Sequence, residues 1–123
     1  MINDKVMRKI VEATMPGNLI VNEGETEASI IDEYFAHTPH VNYIIDDEVN
    51  GYLCVTEHED YVVVNFAWHI GKFTTLKKMV RLAKALHKIY TIKKNKPMYY
   101  SGKTNLYANH SICVAENVWQ FTA

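Results

Sequence analysis

The chain has 123 residues, 48% of them apolar and 22% charged, with a formal net charge of −1. That size fits one domain with a real core, residues 1–123, and is too short for two. No apolar run approaches the roughly 18–20 residues needed to cross a bilayer, and the first residues, Met1-Ile2-Asn3-Asp4-Lys5, lack the apolar core of a signal peptide.

Residues Asp4 to Met15 carry Val6, Met7, Ile10, Val11 and Thr14 near the i, i+3, i+4 rhythm of a helix, and Pro16-Gly17 ends it. Leu19-Ile20-Val21 reads as a short strand or an extended connection before the acidic loop Glu23 to Glu27. A second helix starts near Thr26, with Ala28, Ile30, Ile31, Tyr34 and Phe35 as its apolar positions, and stops before Pro39. Val41–Ile45 and Tyr52–Thr56 form a β-hairpin whose Asn50-Gly51 pair is expected to supply the positive φ angles of the turn or of a bulge near it. Tyr61–Trp68 is a β-branched and aromatic run, a buried strand. It breaks at His69–Thr75, and from Leu76 to Tyr90 the residues Leu76, Met79, Val80, Ala83, Leu86 and Tyr90 share one helical face. After Lys93–Pro97 a strand covers Met98–Tyr100. Asn105–Glu116 is expected to hold a short helix, and Val118–Phe121 a last strand. The expected class is α/β (α+β), a mixed and mainly antiparallel central sheet with flanking helices.

Charge is polarised along the chain. Thirteen of the fourteen Asp and Glu residues lie at or before Asp60, and ten of the thirteen Lys and Arg residues lie between Lys72 and Lys103. Such asymmetry fits an anion-binding face, a head-to-tail contact between subunits, or two halves that neutralise each other. With a pI near 6.6, nucleic acid is not an expected partner. Cys54 and Cys113 form no close-spaced pair, so both are expected to be buried free thiols in a reducing, cytoplasmic setting.

The segment with the clearest chemistry is the strand, turn and helix from Tyr61 to Tyr90. A Gly-containing turn opening a helix directs backbone N–H groups at one spot, and the helix dipole adds partial positive charge there. The spot suits a phosphate or carboxylate, with Lys72, Thr74 and Thr75 as side-chain donors; His69 would either donate to the anion or cap the strand end. Ser101-Gly102-Lys103-Thr104 is not a P-loop, because Pro97 stands where that loop needs Gly. The six histidines show no His-x-x-x-His pair, so no metal site is expected.

From Val41 onward the element order and the degenerate turn resemble the GNAT (Gcn5-related N-acetyltransferase) fold. In that family a splayed fourth strand and the following turn, Gln/Arg-x-x-Gly-x-Gly/Ala, hold the pantetheine and pyrophosphate of acetyl-CoA. Here Trp68 stands at the Gln/Arg position, Gly71 at the first glycine and Phe73 at the second. The resemblance implies cofactor contacts from Phe66, Trp68, Ile70, Gly71, Lys72, Thr74 and Thr75. It also implies Tyr107 as the acid for the leaving thiolate, a base near Glu57, and an amine acceptor. The small size and the Tyr/Lys-rich composition are similar to acetyltransferase-like proteins of tailed phages. Two functions therefore stand: an acyltransferase taking acyl-CoA or another small anion, and a non-catalytic virion or accessory protein acting through a protein partner or self-association. The setting is the cytoplasm, or the virion if the chain is phage-encoded.

Overall fold

The computed structural model describes residues 3–102 and 110–122. Helix α1 (Asp4–Thr14) is opened by the Asn3 side chain, which accepts from the Val6 N–H at 3.0 Å. Helix α2 (Glu27–His37) begins in a capping box in which Thr26 and Ser29 each satisfy the other's backbone N–H. Strands β1 (Val41–Ile45), β2 (Gly51–Glu57) and β3 (Val62–His69) form an antiparallel meander. Helix α3 (Phe73–His87) runs on into a π-helical segment over Lys88–Lys93. Strand β4 (Met98–Ser101) and the hairpin of β5 (Ser111–Ala115) and β6 (Val118–Phe121) complete the fold. Between Asn18 and Val21 the backbone forms no strand.

The six strands lie in the order β1-β2-β3-β4-β6-β5, and every neighbouring pair is antiparallel except β3 with β4. The architecture is mixed α+β, an open and mostly antiparallel sheet with helices on both faces. Central β2 is buried on both sides: Leu53 and Val55 face the α3 side, Tyr52 and Cys54 the α1/α2 side. On the α3 side they join Val62, Val64, Met79, Leu86 and Met98; on the other they join Met7, Val11, Ile31, Tyr34 and Phe66. Each such large side chain contributes roughly 1.5–3 kcal/mol when fully buried. Among the described residues no helix is long and apolar enough to cross a membrane.

An irregularity in β3 sets which residues face which core. Val64 pairs with Val55, but Phe66, not Asn65, pairs with the next residue, Cys54. Asn65 is thus an extra residue, a β-bulge that reverses the alternation of side chains beyond it. Val62 and Val64 point toward α3, whereas Phe66 and Trp68 point toward α1 and α2.

Three expectations are corrected. The hairpin's positive φ angles belong to Asp46 (62°) and Val49 (53°), not to the Asn50-Gly51 pair. Gly51 is required for a different reason: an added Cβ would lie 2.9 Å from Met79 Sδ and 3.1 Å from the Trp68 carbonyl oxygen. Residues 111–115 form a strand instead of the end of a helix. Ile112 and Val114 favour a pleated surface, and the two-residue turn Glu116-Asn117, with Asn117 at φ 58°, folds them back onto β6. In consequence Cys113 is exposed, and only Cys54 is a buried thiol. Cys54 donates to Asn42 Oδ1, and burial pushes its pKa up to about 12.

Gly51→Ala is predicted to destabilise the fold by about 1–3 kcal/mol, since the carbonyl of Trp68 cannot yield as the Met79 side chain can. Urea unfolding of the variant against the parent measures it, and an unchanged midpoint would show that the strand shifts freely.

Candidate functional site

The site begins where the two parallel strands part. Pairing between β3 and β4 covers only Val62–Val64 with Met98–Tyr100, while β3 continues to His69. Pairing stops at the residue before the Asn65 bulge, so the bend in β3 and the end of the ladder coincide. A cavity of about 170 Å³ opens there on the α1/α2 side, lined by Leu19, Ile20, Ile30, Tyr34, Asn65, Phe66 and Ser101.

The walls are mainly apolar, and the polar groups are held in place. Asn65 Nδ2 donates to Thr56 Oγ1 at 2.8 Å, and Thr56 Oγ1 donates to the Tyr34 hydroxyl at 3.4 Å. Burial is the main reason that the Tyr34 pKa is raised. The Tyr34 ring is further fixed edge-on to Phe35 and Phe66, with centroids 5.1 and 4.9 Å away.

The turn lies further along β3. Ile70 N–H donates to the Asn50 carbonyl at 2.9 Å, and Gly71 turns the chain at φ +85°. Helix α3 begins at Phe73, three residues before Leu76, the first position of its apolar face. Its first internal bond runs from Leu76 N–H to the Lys72 carbonyl at 2.9 Å, and Lys72, at the N-cap, makes no side-chain cap. The amides of Phe73, Thr74 and Thr75 precede that bond and have no acceptor within the helix. The Phe73 ring is 69% exposed and lies beneath Lys77 Nζ, 4.7 Å from its centroid, so it does not fill the turn. One donor of the turn is already engaged: Gly71 N–H donates to His69 Nδ1 at 3.0 Å. His69 therefore accepts within the turn and ties off the end of β3.

The residues expected from the sequence fall into three groups. Ile70, Gly71, Lys72, Thr74 and Thr75 come together at the turn, with Thr74 exposed and Thr75 buried. Phe66 belongs to the cavity wall, and half-buried Trp68 stacks on Tyr52 with centroids 6.1 Å apart. Glu57 is on neither site. It pairs with Val62 at the other end of β3, about 23 Å of strand from His69, and on the α3 face, opposite the cavity. Its carboxylate is held by Lys96 Nζ at 2.8 Å and Lys94 Nζ at 3.0 Å, which keep its pKa below the ordinary range. That environment stabilises the anion and occupies it, the opposite of what a general base needs. Tyr107 lies outside the described residues.

The cavity residues Tyr34, Asn65 and Ser101 did not stand out in the sequence. A signal for Asn65 existed, because it is the one polar residue in the run Val62–Trp68. Among the described residues no three or more His, Cys, Asp or Glu side chains are grouped so as to hold a metal ion. Comparison of the chain with protein-family models, with curated proteins and with solved structures finds no match.

Because the folded-state pKa of Glu57 is depressed, its contribution to stability is present above the ordinary carboxylate pKa and lost as pH falls through the folded value. Glu57→Gln is accordingly predicted to lower the melting temperature slightly at pH 7 and not at all well below roughly pH 4. Thermal melts at the two pH values check this; a difference that persists in acid would mean that Glu57 acts through packing.

Proposed function

We propose that this chain is an acetyltransferase-like protein of GNAT-type fold that binds acetyl-CoA and passes the acyl group to an amine. The observation that carries the reading is the parallel β3–β4 pair that parts at the Asn65 bulge beside a mainly apolar cavity. Three further features fit the cofactor. Lys72 at the α3 N-cap makes no side-chain cap bond among the described residues, which leaves the first amides and the helix dipole to a pyrophosphate. A Cβ built at Gly71 meets nothing within 4 Å, so the turn is open on that side. From Phe66 to the end of β3 at His69 is about 10 Å of strand, along which an extended pantetheine arm would lie.

In this reading Ile70–Thr75 hold the pyrophosphate, β3 from Phe66 to Trp68 runs beside the pantetheine arm, and the cavity receives the acyl end. Acetyl-CoA supplies an activated thioester, and Tyr107 remains the proposed acid. The side chains of the cavity, Tyr34, Asn65 and Ser101 among them, supply shape and neutral hydrogen-bond partners. The compartment is the cytoplasm, or the virion for a phage-encoded chain.

Two observations favour the second reading, a non-catalytic phage virion or accessory protein on the same scaffold. The Gly71 amide is engaged by His69, and the nearest proposed base, Glu57, is locked by two lysines on the far face of the sheet.

Calorimetric titration with acetyl-CoA separates the two. The acyltransferase reading predicts one-to-one binding at roughly micromolar affinity, about −8 kcal/mol, that weakens at least tenfold in Thr74→Glu. A carboxylate in the first turn repels pyrophosphate yet favours the helix dipole, so that variant keeps its fold. No heat at millimolar acetyl-CoA would leave the scaffold reading standing.

A further inference from the structure

Between Pro16 and Asp60 the sequence has eleven Asp and Glu residues and no Lys or Arg; between Tyr61 and Ala115 it has ten Lys and Arg residues and no acid. The fold turns part of this division into one across the sheet: Glu23, Glu25, Glu27, Asp32 and Glu33 lie in α2 or the loop before it, on a face where α1 adds Lys5, Arg8 and Lys9. Helix α2 and the loop before it lie on one face, and α3 lies on the other. Part of the imbalance is relieved internally, where Lys78 meets Asp46, where Lys94 and Lys96 meet Glu57, and where Arg8 of α1 meets Glu12 and Asp32.

On α3, Lys77, Arg81, Lys84 and Lys88 are spaced to form one exposed stripe, roughly 16 Å long. Among the described residues none of the four has an acidic partner in an ion pair. Exposed apolar groups flank the stripe, Phe73 at one end and Ile92 (68% exposed) near the other. The opposite face offers the complement. Glu23 and Glu33 are exposed and in no ion pair among the described residues, and Val21 beside Glu23 is 42% exposed.

We infer that the chain assembles head to tail, the α3 stripe of one copy docking on the α2 face of the next. The two patches lie on opposite faces of one molecule, so the contact is heterologous and each copy added leaves both patches available at the ends. Such a contact grows into an open chain or closes into a ring. A second copy fits better than a nucleic acid, because the complementary charge is carried by this same chain and the net charge of −1 gives no general attraction to a polyanion. The contact is electrostatic with small apolar anchors, so it is weak and sensitive to salt. It does not depend on acyl-CoA binding.

Sedimentation velocity over a concentration series tests the inference. At about 20 mM salt the apparent mass is expected to rise with concentration to at least twice 14.2 kDa, and at about 0.5 M salt to return to 14.2 kDa. Lys77→Glu/Arg81→Glu/Lys84→Glu and, separately, Glu23→Lys/Glu33→Lys should each stay monomeric at low salt. An equimolar mixture of the two variants should associate again, because each then presents a patch complementary to the other. All five positions are exposed, so circular dichroism should be unchanged; should a variant misfold, the salt series on the parent chain still decides. A parent chain that stays at 14.2 kDa at low salt overturns the inference. So do assemblies that ignore both charge reversals, and so does a monomer whose stripe binds a labelled DNA duplex.

Discussion

One extra residue in the third strand organises the molecule. Asn65 has no partner in β2, and the backbone must bend to accommodate it. Before the bulge, alternate residues of β3 fill the core beneath α3; after it, the aromatic residues Phe66 and Trp68 fill the core beneath α1 and α2. A strand of the same residues without the bulge would send Phe66 and Trp68 to the α3 side and offer Ala67 to the other. The second core would then lose one large buried ring, roughly 2–3 kcal/mol, along with the edge-on contact between Phe66 and Tyr34. The same bend coincides with the end of the β3–β4 ladder and forms a wall of the cavity. Packing, topology and candidate site thus share one cause.

The buried polar chain Asn65, Thr56 and Tyr34 explains why a polar residue is tolerated there. The Asn65 amide is only partly buried, and its bond to Thr56 Oγ1 satisfies one of its donors. Tyr34 in turn belongs to α2, so the network ties the helix to the bulge. Thr56, 3% exposed, is bonded to both of these side chains. Position by position, this is a site held by a rigid sheet and a packed helix, with the more exposed strand-to-helix turn at its end.

Much of the architecture was legible in the sequence, because periodicity and turn chemistry agree in most elements. The Pro16-Gly17 stop, the Thr26 start and the Tyr61–Trp68 strand all stand close to where residue patterns put them. The failures have physical reasons. A run such as Val-Val-Val-Asn-Phe-Ala-Trp is apolar on both faces, so it contains no alternation from which a bulge could be read. The Asn-Gly pair marks the hairpin, yet the left-handed residues are Asp46 and Val49, and Gly51 answers to a crowded approach between β2, Met79 and Trp68. Strand β5 depends on pairing with β6, which residues 105–116 alone do not reveal. The strand-to-helix turn at Gly71 was recognisable by residue type. That His69 engages its amide, and that Glu57 points to the far face, are facts of three-dimensional register.

The central claim is that the divergence of β3 from β4 and the α3 N-terminus together form the seat of an acyl-CoA. The most direct measurement is a titration of the isotopically labelled protein with acetyl-CoA, followed by amide nitrogen–proton correlation spectra. The account predicts saturable shifts concentrated at Phe66–Trp68 and at Gly71–Thr75, with the exposed α3 stripe from Arg81 to Lys88 unmoved. Shifts confined to that stripe would mean simple attraction of an anion to lysines, and an unchanged spectrum would mean no acyl-CoA site; either result would contradict it.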